Sequence, residues 1–311
     1  MNKRILNKRI LNSQFAVYKN WPSWLLLLFA CFMVYLFFFV GLTLGGVGIV
    51  LVSSVLYKFS SYTFFEFINL FNNIYGELGT FSFSAFLLLI WVKFVEKRPF
   101  SELGFSTKFK RTLWSLIKGW SIGFILFSIS VITAYILGGL DFHSYDVSKA
   151  TIFYVVTLLP FWLIQSGTEE LLTRGWLLPL INHRFHLAVA IGVSSTLFGI
   201  LHLVNAHVTF LSIVSIICSG VLMSLYMIKS GNIWSVAALH GAWNFSQGNL
   251  YGIAVSGQKA GASLLHFTVK ENAPDWISGG AFGIEGSLIS IFVLLAAIIY
   301  LLWLIKTEET D

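Results

Sequence analysis

The sequence predicts an all-α, polytopic membrane helix bundle with about eight transmembrane helices. Hydrophobic residues make up 57% of the 311 residues, whereas charged residues make up 11%. So few charges do not cover the surface of a soluble domain, and long apolar stretches recur along the chain. Basic loops beside apolar spans explain the formal net charge of +6, so the lipid bilayer rather than nucleic acid is the expected partner.

Eight apolar stretches are long enough to cross a bilayer, which takes about 20 residues of helix. They lie at 23–43, 77–95, 112–138, 151–168, 186–203, 208–228, 233–255 and 286–305. Residues 44–57 are apolar but short, and we interpret them as a continuation of the first helix or as an interfacial segment. Residues 170–182 also look helical, and Pro179 with the polar residues after it predicts the end of that stretch.

The basic residues predict the orientation of the chain. They cluster in the N-terminal segment 1–22 and between Lys93 and Lys118. The positive-inside rule places both clusters in the cytoplasm, together with the turn at 229–232. Asp141, His143, Asp146 and the Gly-rich loop 257–283 then lie outside.

One transmembrane domain, 23–305, is therefore expected between a basic cytoplasmic segment, 1–22, and a cytoplasmic tail, 306–311. The first apolar stretch is too long for a signal peptide and lacks a clear cleavage site, so it is interpreted as a retained span. Without organelle-targeting signals, a bacterial plasma membrane is the favoured location. Cys31 and Cys218 both lie in apolar runs and predict small buried side chains rather than a disulfide framework.

The first polar motif is E-E-L-L-T-R at 169–174. Adjacent residues point about 100° apart on a helix, so Glu169 and Glu170 face different neighbours. Glu170 and Arg174 are four residues apart and can form an ion pair, which leaves Glu169 to face another helix. A solvated helix end near the cytoplasm would show the same pattern.

The second motif is F-G-I-L-H at 198–202. Phe198 and His202 lie one helical turn apart, so the phenyl ring can pack beside the imidazole. A lone histidine near a helix end is more often an interfacial or hydrogen-bonded residue than a catalytic one. Asn205 and His207 follow in the connecting loop and are weaker candidates.

The third motif is H-G-A-W-N at 240–244. His240 and Asn244 are also one turn apart, and both side chains can donate hydrogen bonds to a developing oxyanion. A polar pair that joins neighbouring membrane helices is the competing interpretation.

Together, the three motifs favour one hydrolytic site, because ionisable residues within a bilayer are costly and usually functional. A carboxylate and a histidine can remove a proton from water, which is general-base chemistry. A second histidine with an amide can stabilise the tetrahedral intermediate. Alternatively, Glu169, His202 and His240 bind a divalent metal such as zinc that activates the water. The serine, aspartyl and H-E-x-x-H signatures of other intramembrane proteases do not occur in the sequence.

The ordered motifs E-E-x-x-x-R, F-x-x-x-H and H-x-x-x-N resemble those of the CAAX-protease and bacteriocin-processing (CPBP or Abi) family of intramembrane proteases. The resemblance covers mainly 150–250, with support from 98–105 and 279–287. It implies that Glu169 and His202 activate water and that His240 and Asn244 form the oxyanion site. Glu170 and Arg174 would support the first of these helices, and a more direct part for Glu170 stays open. Glu285, at a loop-to-helix junction, is expected to be structural.

The resemblance implies an endopeptidase that cleaves a peptide or membrane-protein substrate near the membrane. In bacteria it implies processing of exported peptides, bacteriocin immunity or peptide signalling. The alternative is a non-enzymatic immunity or sensor-binding scaffold, which would not need both glutamates and both histidines. A proton-coupled transporter would show inverted repeats and broken helices in matching halves, which the sequence does not clearly show.

Depth along the helices presents a difficulty for a single site. If the fourth span ends at 168, Glu169 lies near the cytoplasm, whereas His202 lies about 24 Å beyond the next turn. The motifs can then meet only if 170–182 doubles back within the membrane, where irregular backbone must line a protein-enclosed cavity. A cavity that opens to the cytoplasm is the expected form.

Overall fold

A polytopic helix bundle is the architecture of this chain. The computed structural model describes residues 11, 15–106 and 108–310, with side chains up to Glu308. Helix accounts for 76% of the structure, and seven of the described helices are long and apolar enough to cross a membrane. The basic residues at positions 3–9, which belong to the predicted cytoplasmic segment, and Asp311 of the predicted tail lie outside the described residues.

The elements are numbered here in chain order. They are α1 (Ser23–Leu56), α2 (Phe64–Asn69), α3 (Ile74–Ile90), α4 (Phe109–Ile136), β1 (Leu140–Tyr145), α5 (Lys149–Asn182), α6 (Leu187–Leu201), α7 (Phe210–Ser230), α8 (Ile233–Phe245), β2 (Leu265–Val269), α9 (Asp275–Ser278) and α10 (Leu288–Thr310). Wider π turns follow α3 at Trp91–Val95 and α8 at Ser246–Leu250. Short 3-10 turns lie at Ala16–Tyr18, Tyr57–Phe59, Phe100–Leu103, His202–Val204, Gly280–Phe282 and Ile284–Gly286.

The first helix is longer than a span requires. α1 continues through residues 44–56 and passes into the 3-10 turn Tyr57–Phe59, which confirms the interpretation of 44–57 as a continuation. The next helix starts at a capping box, in which the Thr63 hydroxyl accepts from Glu66 N–H and the Glu66 carboxylate accepts from Thr63 N–H. Such a reciprocal cap satisfies two orphan donors and sets where α2 begins.

The fourth span differs most from its prediction. Instead of ending at 168, α5 continues to Asn182, with a π turn over Leu171–Leu177. The prediction that 170–182 doubles back is therefore wrong. The reason is that Leu171–Ile181 is fully packed inside the bundle, so continued helix satisfies its backbone while burying every side chain.

The span predicted at 233–255 is also shorter than expected. α8 ends at Phe245, the π turn runs to Leu250, and Gly252 adopts a positive φ of 74°. α8 lies inside the bundle, and every residue from Ser235 to Asn244 is buried, so it need not match the thickness of the lipid. Seven of the eight predicted spans thus correspond to long helices, and the eighth is this central helix of 13 residues.

An unpredicted two-stranded antiparallel sheet joins two loops. β1 pairs with β2 in antiparallel register, with Leu140 opposite Val269 and Tyr145 opposite Leu265. The ladder has a bulge between Phe142 and Ser144. Both segments are expected to be loops, because each is short and neither has a strand partner nearby in sequence. The pairing places residues 140–145 and 265–269 on the same side of the bundle, as the predicted orientation requires.

The loops gather at two ends of the bundle. At the first end, the Ile233 N–H donates to the Gly104 carbonyl at 3.0 Å and Lys229 pairs with Glu308 at 2.7 Å. There Arg184 also donates to the Lys19 carbonyl at 2.6 Å, so the N-terminal segment joins the same end. We call this the basic end, and both described termini of the chain lie at it.

The opposite end carries this two-stranded sheet, and we call it the hairpin end after the antiparallel pair of strands. The Asn205 amide donates to the Ser256 carbonyl at 3.3 Å, and the Gly257 N–H donates to Phe282 O at 2.9 Å. These contacts hold the loop after α6 and the 254–260 loop over the centre of the bundle.

Close helix packing positions α8. Gly119 and Gly123 form a G-x-x-x-G pair on α4, and a Cβ at either position would collide with a backbone carbonyl of α8. Small residues at this spacing let helix backbones approach closely in a membrane bundle. The two cysteines, Cys31 and Cys218, are free and partly buried.

Candidate active site

The first motif forms a buried ion pair. Arg174 Nη1 donates to Glu170 Oε1 at 3.0 Å, and both side chains are fully buried. The same nitrogen donates to Thr173 Oγ1 at 2.8 Å, and the guanidinium lies over the Phe198 ring at 4.4 Å from its centroid. The i, i+4 pairing predicted for Glu170 and Arg174 is confirmed, and it lies deep within the bundle rather than at a solvated helix end.

The third motif meets the first at His240. The Nδ1 of His240 lies 2.9 Å from Glu170 Oε1, and its Nε2 lies 3.7 Å from Glu169 Oε2. Because a carboxylate only accepts, Nδ1 is the donor to Glu170. This bond fixes the ring, so that its second nitrogen faces Glu169.

A chain of amides orients Glu169. Gln165 Nε2 donates to Glu169 Oε1 at 2.7 Å, and Asn244 Nδ2 donates to Gln165 Oε1 at 3.1 Å. Glu169 Oε2 is buried and has no hydrogen-bond partner among the described residues. An oxygen left unpaired in a buried position is costly unless something binds it, so this oxygen is available to a group that enters the cavity.

The second motif lies beside the other two. Phe198 packs against His202 with ring centroids 4.7 Å apart and against His240 with centroids 5.8 Å apart. His202 Nδ1 lies 2.8 Å from the Phe198 carbonyl, which can only accept, so Nδ1 carries the proton. Its Nε2 is then an acceptor in the neutral ring.

The predicted site residues lie around one cavity. It has a volume of about 420 Å³, and Glu169, His202, His240 and Asn244 all line it. Glu170 and Arg174 lie behind this wall, where they contact His240 and Phe198. The structure therefore brings all three motifs together, with Glu169 closest to His240 and with His202 on the same cavity.

The depth difficulty disappears because α5 is longer than predicted. Glu169 lies 13 residues before Asn182 and His202 lies 15 residues after Leu187, so the two are at similar distances from the turn between those helices. Two antiparallel helices joined by that turn therefore bring the two residues to one level, about 20 Å from the basic end. The expectation that a plain hairpin keeps them apart is wrong, since it rested on ending the fourth span at 168.

The cavity opens toward the hairpin end. Val204, Asn205 and the 255–260 loop line its mouth, whereas Tyr35 and Phe39 of α1 line its side. The predicted opening to the cytoplasm and the predicted position of loop 257–283 outside therefore cannot both hold, because Lys259 of that loop lines the same cavity.

Most of the donors in the predicted metal site are already bonded to other side chains. In the part of the chain that the structure describes, no group of three or more His, Cys, Asp or Glu side chains could hold a metal ion. Glu170 and His240 already bond to each other, and Glu169 Oε1 already accepts from Gln165. The side chains as placed do not fit the set of Glu169, His202 and His240 as a ligand triad.

The three motifs do not include Gln165, and Glu285 is expected from the sequence to be structural. Gln165 lies one turn before Glu169, and that spacing was the available signal. Glu285 Oε1 accepts from Ser256 N–H at 2.5 Å, so it fixes the cavity loop as expected of a structural residue. It also lines the cavity itself, where burial raises the pKa of its carboxyl.

These features define a multi-pass membrane protein with a buried acid and histidine cluster around a cavity. Residues 151–246 match the family model described as Rce1-like, type II CAAX prenyl endopeptidase Rce1-like. This match confirms the resemblance to the CAAX-protease and bacteriocin-processing family and supports an intramembrane endopeptidase in general. No curated protein matches the chain, and no solved structure does.

Proposed function

We propose that the chain hydrolyses peptide bonds with a water molecule activated by Glu169 and His202 and with an oxyanion held by His240 and Asn244. The observation that carries the proposal is the unpaired Glu169 Oε2, buried on the cavity and 3.7 Å from His240 Nε2. A carboxylate held by one oxygen and free at the other is placed to accept a proton.

In the proposed reaction, Glu169 first accepts a proton from water and later gives it to the leaving group. Glu169, assisted by the acceptor nitrogen of His202, removes a proton from water, and the oxygen attacks the carbonyl carbon of the peptide. The resulting oxyanion accepts hydrogen bonds from His240 and from Asn244 Nδ2, whose contact with Ser166 is long, at 3.4 Å. The proton held by Glu169 then passes to the amide nitrogen as the carbon–nitrogen bond breaks.

Glu170 and Arg174 act behind the cavity in this proposal. Glu170 accepts from His240 Nδ1 and also pairs with Arg174, so it sets the orientation of the imidazole. A protonated His240 between Glu169 and Glu170 would present an Nε2–H to the oxyanion, and the two carboxylates favour that form electrostatically. Metal dependence stays a prediction, and assays before and after dialysis against EDTA, with zinc added back, test it.

The test is the replacement of the proposed base. We expect Glu169→Gln to lower cleavage of randomised, internally quenched decapeptides by about 100-fold or more, since general-base catalysis contributes that much. The protein is purified and reconstituted in liposomes, and Glu308→Gln at the basic end is the matched control. Cleavage by Glu169→Gln at the rate of the unmodified protein would contradict the proposed role of Glu169, and no cleavage by either protein would favour a non-enzymatic scaffold.

A further inference from the structure

The basic residues of the chain are divided unequally between the two ends of the bundle. Eleven of the lysines and arginines that the structure describes lie at or near the basic end: Lys19, Lys93, Lys97, Arg98, Lys108, Lys110, Arg111, Lys118, Arg184, Lys229 and Lys306. Four lie toward the hairpin end: Lys58, Lys149, Lys259 and Lys270. Short loops rich in lysine and arginine remain in the cytoplasm, so the charges place the basic end there.

The cavity is closed toward the basic end. From Glu169 onward, α5 is packed into the core, and Leu172, Trp176 and Leu180 have no exposed surface. Leu103 and Met227 close the same region from the neighbouring segments, again without exposed surface. A peptide therefore has no path from the basic end to Glu169 through the described part of the protein.

The cavity is open toward the other end. His202 and Ser256 are partly exposed, and Gln258 and Lys259 at the mouth are exposed. The tip of the 255–258 turn, in which Ser256 and Gly257 both have positive φ, is held by Glu285 and by the Phe282 carbonyl. The turn at the mouth of the cavity is thus held in place by hydrogen bonds at the hairpin end.

From the charge division and the closed basic end, we infer that the cavity opens on the non-cytoplasmic face of the membrane. Its substrates are then peptides that have already been exported, or the non-cytoplasmic segments of membrane proteins. The substrate class rests on the proposed endopeptidase function, whereas the sidedness does not. Cytoplasmic peptides would have to cross the bilayer before they reached Glu169.

The sidedness is tested by labelling. In a Cys31→Ser/Cys218→Ser background, Gln258→Cys reports on the mouth and Lys110→Cys reports on the basic end, since both residues are exposed. With a membrane-impermeant maleimide on intact cells, we expect labelling of Gln258→Cys, and we expect Lys110→Cys to react only after permeabilisation. The reverse pattern would overturn the inference.

A second measurement uses the chain with both native cysteines. Trypsin outside intact cells is expected to cleave after Lys259 or Lys270 and to spare Lys108–Arg111, and cleavage limited to Lys108–Arg111 would overturn the inference.

The substrate class is tested with internally quenched decapeptides, which are supplied outside or inside sealed right-side-out vesicles. Cleavage of the outside peptides, lost in Glu169→Gln, supports the substrate class, and cleavage of the inside peptides alone overturns it. If labelling places the mouth outside but no peptide is cleaved on either side or in detergent, the proposed function fails while the sidedness stands.

Discussion

At the scale of single residues, the site depends on charges held in an apolar interior. Glu170 and Arg174 are fully buried, and removing one member of such a pair leaves the other charge uncompensated. The sequence spacing predicted this pair, but it did not predict that Glu170 also bonds to His240, because that contact joins residues 70 positions apart.

Replacing Arg174 is therefore expected to destabilise the fold. Arg174→Met should lower the free energy of unfolding by about 3–5 kcal/mol, since Glu170 remains buried without its cation. The measurement is thermal unfolding in detergent, and adding Glu170→Gln should recover part of the loss. Lys229→Met, which breaks the more exposed Lys229–Glu308 pair, is the control and should cost no more than about 1 kcal/mol. Similar losses of unfolding free energy in the two variants would show that the buried pair stabilises the fold no more than the exposed pair does.

Gln165 is expected to be a positioning residue for Glu169. Gln165→Leu removes the donor to Glu169 Oε1 and the acceptor for Asn244. We expect kcat for decapeptide cleavage to fall about 10- to 100-fold, because small misplacements of a reacting group are costly, while KM changes little. Gln258→Leu, at the mouth of the same cavity, is the matched control. A loss confined to KM, or an equal loss in the control, would argue against positioning.

At the scale of elements, helix length and close packing decide where the motifs meet. Most span positions could be predicted, because hydropathy alone identifies apolar segments of sufficient length. The ends of α5 and α8 could not, since packing inside the bundle replaces lipid as the apolar surroundings. The G-x-x-x-G pair at 119–123 predicts that another helix approaches α4 closely, but the sequence does not show that this helix is α8.

A larger side chain at Gly123 should separate α4 from α8. Gly123→Leu is expected to lower the free energy of unfolding by about 1–3 kcal/mol, because a side chain there overlaps the Leu239 carbonyl. Peptide cleavage should fall as well, since Leu239 precedes His240. Gly46→Leu is the control, because a Cβ at Gly46 meets no atom within 4 Å. Unfolding temperature and activity are measured for both, and unchanged values for Gly123→Leu would contradict the packing argument.

At the scale of the whole molecule, a buried network ties the N-terminal segment to the helix that carries the site. Glu96 accepts from Tyr18 at 2.9 Å, from Trp176 of α5 at 2.8 Å and from Arg98 Nε at 2.8 Å. Arg98 also lies over the Phe15 ring at 4.1 Å from its centroid. Three distant parts of the sequence therefore share one carboxylate at the basic end.

Neutralising Glu96 should loosen this end first. Glu96→Gln leaves Arg98 without its closest counter-charge, and we expect faster trypsin cleavage after Lys19 and Lys97 together with a lower unfolding temperature. Breaking a buried pair costs about 3–5 kcal/mol of unfolding free energy. The loss here should be smaller, because Arg98 keeps Glu102 as its second partner. Asp141→Asn at the hairpin end is the control. Identical digestion of Glu96→Gln and the unmodified protein would show that the network does not hold the N-terminal segment.

By itself, the sequence determined the membrane-embedded helical class, the three polar motifs and the family resemblance, because hydropathy and i, i+4 spacing are local properties of the chain. Only the tertiary structure decided that Glu169 and His202 meet across a plain helical hairpin, that His240 lies between two glutamates and that the cavity opens at the hairpin end. Those features depend on where α5 ends and on which helix packs against which. Contacts between residues far apart in sequence set both, and local patterning does not encode them.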